Sequence, residues 1–90
     1  MLAAVICTDK KGALDVRLAN RDAHLAYIAS TGIVVQAGPF LDANGDMCGS
    51  LVILDVETLA EAESWAAADP YAQAGLFSDV RIEIWKKVVG

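Results

Sequence analysis

The sequence predicts an α+β fold with the element order β-α-β-β-α-β and a four-stranded antiparallel sheet. Three observations carry that expectation. Two long stretches repeat their apolar residues at helical spacing, and four shorter ones are rich in β-branched residues. The middle two of those four adjoin, with an Asn44-Gly45 turn signal between them. A chain of 90 residues has room for one such unit, so residues 1–90 are expected to form a single domain.

Each element follows from local chemistry. Met1 to Thr8 is a continuous apolar run with Val5 and Ile6, as expected of a strand covered on both faces. Asp9-Lys10-Lys11-Gly12 reads as a polar connection. From Leu14 to Thr31 the period becomes helical, and Leu18, Leu25, Ile28 and Ala29 define an apolar side expected to face the core. Gly32 then suits a left-handed C-terminal cap. Ile33 to Phe40 is the second strand, with Pro39 assigning its end to an edge or a bulge. Ser50 to Val56 follows as an antiparallel third strand. Thr58 and Glu61 match a capping box opening a helix to about Ala67, with Leu59, Ala62 and Ala66 expected inward.

Asp69-Pro70 breaks that helix. Proline is well suited to the first turn of a new short helix and pushes the residue before it out of helical geometry. Gly75 can close the short helix with a positive φ. In the last strand Val80, Ile82 and Ile84 take one face and Arg81, Glu83 and Trp85 the other. The order is that of a split β-α-β, or ferredoxin-like, unit with both helices on one sheet face.

Composition narrows the function classes. Seven Lys and Arg against twelve Asp and Glu give a net charge of −5, a poor match to phosphate backbones. The third strand offers the aliphatic Leu51, Val52, Ile53 and Leu54 where an RNA-binding sheet presents aromatics, so no nucleic-acid partner is expected. No apolar run approaches a membrane span, and the start lacks a signal peptide's basic flank, so a cytoplasmic protein with no membrane partner is expected. Yet 56% of residues are apolar and the mean hydropathy is +0.42, more than one small core absorbs. The surplus predicts a homodimer, sheet against sheet. Cys7 and Cys48 have no metal-ligand spacing and read as free thiols, dispensable to any chemistry. With no phosphate loop, dinucleotide fingerprint or ligand cluster, neither cofactor nor metal is expected.

The residues that point to chemistry lie on two elements. Arg17, Arg21 and His24 form one stripe on the first helix, bordering its apolar side. Asp69 sits at the kink past the second helix, and the fold brings those helices to the same sheet face. A carboxylate bonded to one imidazole nitrogen fixes the tautomer and leaves the other nitrogen to take or give a proton. His24 and Asp69 are therefore the candidate catalytic pair, weighed against a structural histidine and a helix cap. Tyr71 can line a pocket or donate a hydrogen bond, and Ser50 can hold a polar ligand group. Neither Ser50 nor Cys48 lies on a nucleophile elbow, which argues against covalent catalysis.

The segments Arg17 to Leu25, Ala37-Gly38-Pro39, Gly49-Ser50, Ala68-Asp69-Pro70-Tyr71 and Ala74-Gly75 together resemble the YciI-like (YCII-related) family. The resemblance spans nearly the whole chain. It implies a ferredoxin-like subunit pairing into a dimeric α+β barrel, with an active site on the motif histidine and aspartate, here His24 and Asp69. Arg17, Arg21, Gly38, Ser50 and Tyr71 are the accompanying candidates for substrate binding. One relative is a dehydrochlorinase of a chlorinated hydroxyhydroquinone. The chain departs from some relatives in having Asp22 where they have proline and a shorter loop from Leu41 to Cys48. The expected function is cofactor-free acid–base chemistry, of lyase or isomerase type, on a small aromatic metabolite. The alternative is a non-catalytic small-molecule-binding or accessory module with the same pocket.

Overall fold

The computed structural model describes residues 1–90. Its elements are β1 (Leu2–Asp9), α1 (Leu14–Thr31), β2 (Val34–Leu41), β3 (Met47–Asp55), α2 (Leu59–Ala68), a short α3 (Pro70–Gln73) and β4 (Phe77–Trp85). The sheet runs β2-β3-β1-β4, antiparallel throughout, so β1 and β3 are central and β2 and β4 are edges. This is the ferredoxin-like arrangement that the sequence predicts.

Register decides which residues face the helices. Ala3, Val5 and Cys7 of β1 pair with Leu54, Val52 and Ser50 of β3 and point toward them. With Val56, Ala62, Trp65 and Ala66 the apolar members of this set form the core. Helices α1 and α2 are clasped above it: the Tyr27 hydroxyl donates to the Trp65 carbonyl at 2.8 Å, and Trp65 Nε1 donates to Thr31 Oγ1 at 2.9 Å. The opposite sheet face carries Ile6, Leu51, Ile53, Phe40 and Trp85, with no helix over it.

Both helix ends that the sequence marks are formed. Gly32 takes φ 68° and its N–H bonds the Ile28 carbonyl. Thr58 Oγ1 accepts from Glu61 N at 3.2 Å, while the Glu61 carboxylate reaches one residue further than a capping box, to Glu57 N at 2.7 Å. Leu59, expected inward, is exposed, and Trp65 takes the buried position instead.

Helix α1 corrects a larger expectation. Its buried residues are Arg17 and His24, not the leucines; Leu18 is 55% and Leu25 46% exposed. Of the predicted apolar side only Ile28 packs on the core, and Ala29 is exposed. At about 100° per residue the helix is turned by about a quarter of a revolution from the orientation its leucines imply. Arg17 and His24 face inward because they have buried partners, whereas Arg21 on the same stripe stays exposed.

One glycine is dictated by packing. A Cβ on Gly49 would collide with the Cys7 carbonyl oxygen in the β1–β3 ladder and lie 3.2 Å from Phe40 Cδ2. Because the nearer obstacle is backbone, it cannot rotate aside. Gly49→Ala is expected to cost about 1–3 kcal/mol, as overpacking does. Urea unfolding checks this, and an unchanged midpoint would mean that the ladder yields freely.

Candidate active site

The site lies between α1, α3 and the β2–β3 hairpin. Asp69 is its pivot. With φ −58° and ψ 130° it leaves helical geometry just before Pro70, and its side chain caps α3. Oδ1 accepts from Tyr71 N at 3.0 Å and lies 2.8 Å from His24 Nδ1. A carboxylate only accepts, so the contact puts the imidazole proton on Nδ1. His24 Nε2 has no partner in the protein, and no buried side-chain polar atom is left unpaired, so Nε2 opens to the cavity.

Two further contacts hold the ring. Tyr71 stacks on His24 with centroids 3.9 Å apart and planes at 16°. The Arg17 guanidinium lies over the Tyr71 ring, 4.7 Å from its centroid. Arg17 is held in turn by Asp9, through Nε to Oδ2 at 2.7 Å and Nη2 to Oδ1 at 2.8 Å, and Nη2 also donates to Ser50 Oγ at 2.8 Å. Both side chains of that ion pair are almost fully buried, 3% and 4% exposed. Ser50 accepts from Arg17 and keeps its own hydroxyl proton for another acceptor.

These groups border a cavity of about 180 Å³. An engineered cavity of about 150 Å³ holds benzene, so one substituted ring is the natural size. Arg17, Arg21, His24, Ser50 and Tyr71 line it together with apolar Leu25, Ile28, Ala37, Pro39, Met47 and Val52. Gly38 borders it too, but pairs with Leu51 on the opposite sheet face, so only its backbone reaches the cavity. All seven candidate residues thus meet at one place. No three His, Cys, Asp or Glu side chains are grouped so as to hold a metal ion.

The YCII-related domain matches residues 1–86. The chain belongs to the YCII-related family. Protein YciI of Escherichia coli O6:H1 is 38% identical, with 98% of this chain and 99% of that one covered; the Shigella flexneri YciI gives the same values. Among solved structures, the 5-chloro-2-hydroxyhydroquinone dehydrochlorinase TftG from Burkholderia phenoliruptrix AC1100, in complex with 2,5-dihydroxybenzoquinone, is 37% identical. It superposes with a TM-score of 0.89 over 96% of this chain and 94% of its own. An antibiotic biosynthesis monooxygenase, 14% identical with a TM-score of 0.61 and coverage of 99% and 100%, shares the fold.

Within this YCII-related chain, sequence reasoning passed over Asp9, reading it as part of a polar connection. Asp9 is where the β1–β4 pairing slips, between Thr8 and Asp9, and such irregularities re-aim side chains beside sites. Its place at the end of a buried strand, eight residues before a buried arginine, was the available signal. Met47 was missed as well. Tyr71, whose hydroxyl could have been left wet by simple ring packing, is only 2% exposed, and burial pushes its phenol upward while Arg17 opposes the shift.

Neither cysteine lines the cavity. Burial, reinforced by the Asp69 carboxylate, pushes the Cys7 thiol from its ordinary 9.0 to about 12. The sign is that of a neutral group whose charged form the fold disfavours: the unfolded chain ionises first, so stability falls as pH rises from 9.0 toward about 12. Cys7→Ala is expected to remove the part of that alkaline loss which begins near the thiol's ordinary value. Urea midpoints measured across that pH range provide the check. Identical slopes in parent and variant would contradict the assignment.

Proposed function

We propose that this protein is a small-molecule enzyme in which His24 Nε2 moves a proton, with Asp69 fixing the ring through Nδ1. The observation that carries this reading is the buried 2.8 Å His24–Asp69 contact with the second nitrogen open to a ring-sized cavity. A histidine kept for packing alone has no need of an open nitrogen. The likeness to TftG, at 37% identity and nearly full coverage, supports a cyclic, hydroxylated and unsaturated substrate.

The chemistry is cofactor-free elimination or isomerisation. Nε2 takes a proton from an acidic O–H or C–H of the bound ring, and the electron pair of that bond moves into the ring system. Where a leaving group is present, it departs with its own pair, so the net loss is one proton and one anion. Arg17, a cation in the cavity wall, and the Ser50 hydroxyl proton suit the oxygen on which negative charge grows. The Gly38 backbone, Arg21 and Tyr71 complete the walls. Asp69 stabilises the imidazolium formed, and Nε2 returns the proton to product or water.

The protein is challenged with a chlorinated hydroxyhydroquinone while chloride release is followed. Turnover is expected, and His24→Gln is expected to lower kcat by about 10²–10⁴-fold, the usual contribution of a general acid–base group. Binding without turnover by the parent would instead favour a metabolite-binding or accessory module.

The same reading includes a homodimer closing the open sheet face, as a dimeric α+β barrel. Ile6 and Leu51 are only half-buried there, and Phe40 and Trp85 are 42% and 39% exposed. Such a patch is what a stable interface covers. Light scattering at micromolar concentration is expected to give twice the chain mass, and Leu51→Glu to halve it. A monomeric parent protein would refute the pairing.

A further inference from the structure

We infer that the cavity selects a small ring compound carrying one ionised acidic oxygen group, and that Arg21 supplies the charge that selects it. This rests on the reading of the cavity as a small-molecule site and adds the charge of the molecule. Three basic side chains line the cavity: Arg17, Arg21 and His24. Asp9 matches the first in charge, while His24 in its proton-accepting form carries none and Asp69 lies behind it, its Oδ1 turned to His24 Nδ1 and Tyr71 N. Arg21 forms no ion pair, and no carboxylate lines the cavity. Arg21, exposed at the rim, is therefore the one cation among the lining side chains with no paired carboxylate.

Its setting makes that charge selective. Arg21 stands one helical turn from Arg17 and about one turn from His24 on the same stripe, and its charge is felt at the Tyr71 phenol. The neighbouring walls are Leu25, Ile28, Ala37, Pro39, Met47 and Val52, which offer no competing acceptor side chain. A guanidinium meets a carboxylate or a delocalised enolate with two parallel N–H groups. Arg17 is already neutralised by Asp9, so a second ionised group on the ligand would find no uncompensated cation. The protein's net charge is −5, so this cavity is a local exception to a surface that otherwise repels anions.

Benzoate and benzamide differ in charge and hardly in shape, and ligand-observed NMR titrations compare their affinities. The parent is expected to bind benzoate on the order of tenfold or more tightly, as charge-assisted hydrogen bonds allow. Arg21→Gln is expected to bring benzoate down to the level of benzamide, and Arg21→Lys to keep most of the difference. Equal affinities in the parent, a preference that survives Arg21→Gln, or no binding of either probe at millimolar concentration would overturn the inference. Because the comparison needs no turnover, the two readings fail separately. Preference without catalysis removes only the acid–base assignment, and catalysis without preference removes only the role of Arg21.

Discussion

Arg17 is 2% exposed beneath a helix, and a guanidinium is tolerable there only because Asp9 meets it through two hydrogen bonds while Ser50 takes a third. Removing a cation from water costs several kcal/mol, which the pair repays through close, bidentate geometry. Much else follows from that requirement. With Arg17 turned inward, residues one and two turns along the same stripe are carried toward the sheet with it. His24 becomes buried, Arg21 reaches the cavity, and Leu18 and Leu25 rotate outward. The orientation of α1 is set by a polar contact and not by its leucines.

Asp69 solves a second problem with one oxygen. The chain must stop α2, reverse, and begin α3 at once, and the carboxylate caps the new helix at Tyr71 N. The same oxygen meets His24. The backbone turn and the imidazole are thus held by a single side chain, and neither can move without disturbing the other. Tyr71, fixed by its place in α3, then stacks on His24. Backbone geometry sets ring geometry here through two successive contacts.

The fold was legible because its signals are local: β-branched runs, Gly32 after a helical period, Thr58 with Glu61, and Pro70 after Asp69. The meeting of His24 and Asp69 was legible for a related reason, since both helices had to share a sheet face. The facing of α1 was not. Leu18 and Leu25 give a stronger periodic signal than one arginine, and a sequence does not reveal that an arginine has a buried partner on another element. Asp9 was missed for the same reason, its partner being eight residues away across a strand–helix junction. Leu59 lies outward because the inward place on α2 goes to Trp65, which the Tyr27–Trp65–Thr31 clasp holds by hydrogen bonds.

The cavity is assembled from two separable pieces of chain. The polar groups come largely from α1 and the turn at Asp69, both tied into the interior. The apolar wall formed by Ala37, Pro39 and Met47 belongs to the hairpin of β2 and β3, and β2 is an edge strand exposed along most of its length. Substitutions in that hairpin can resize the cavity while leaving His24 and Asp69 in register. The shape of the space beside His24 is thus set by one part of the chain and the orientation of its ring by another, so the two can change independently.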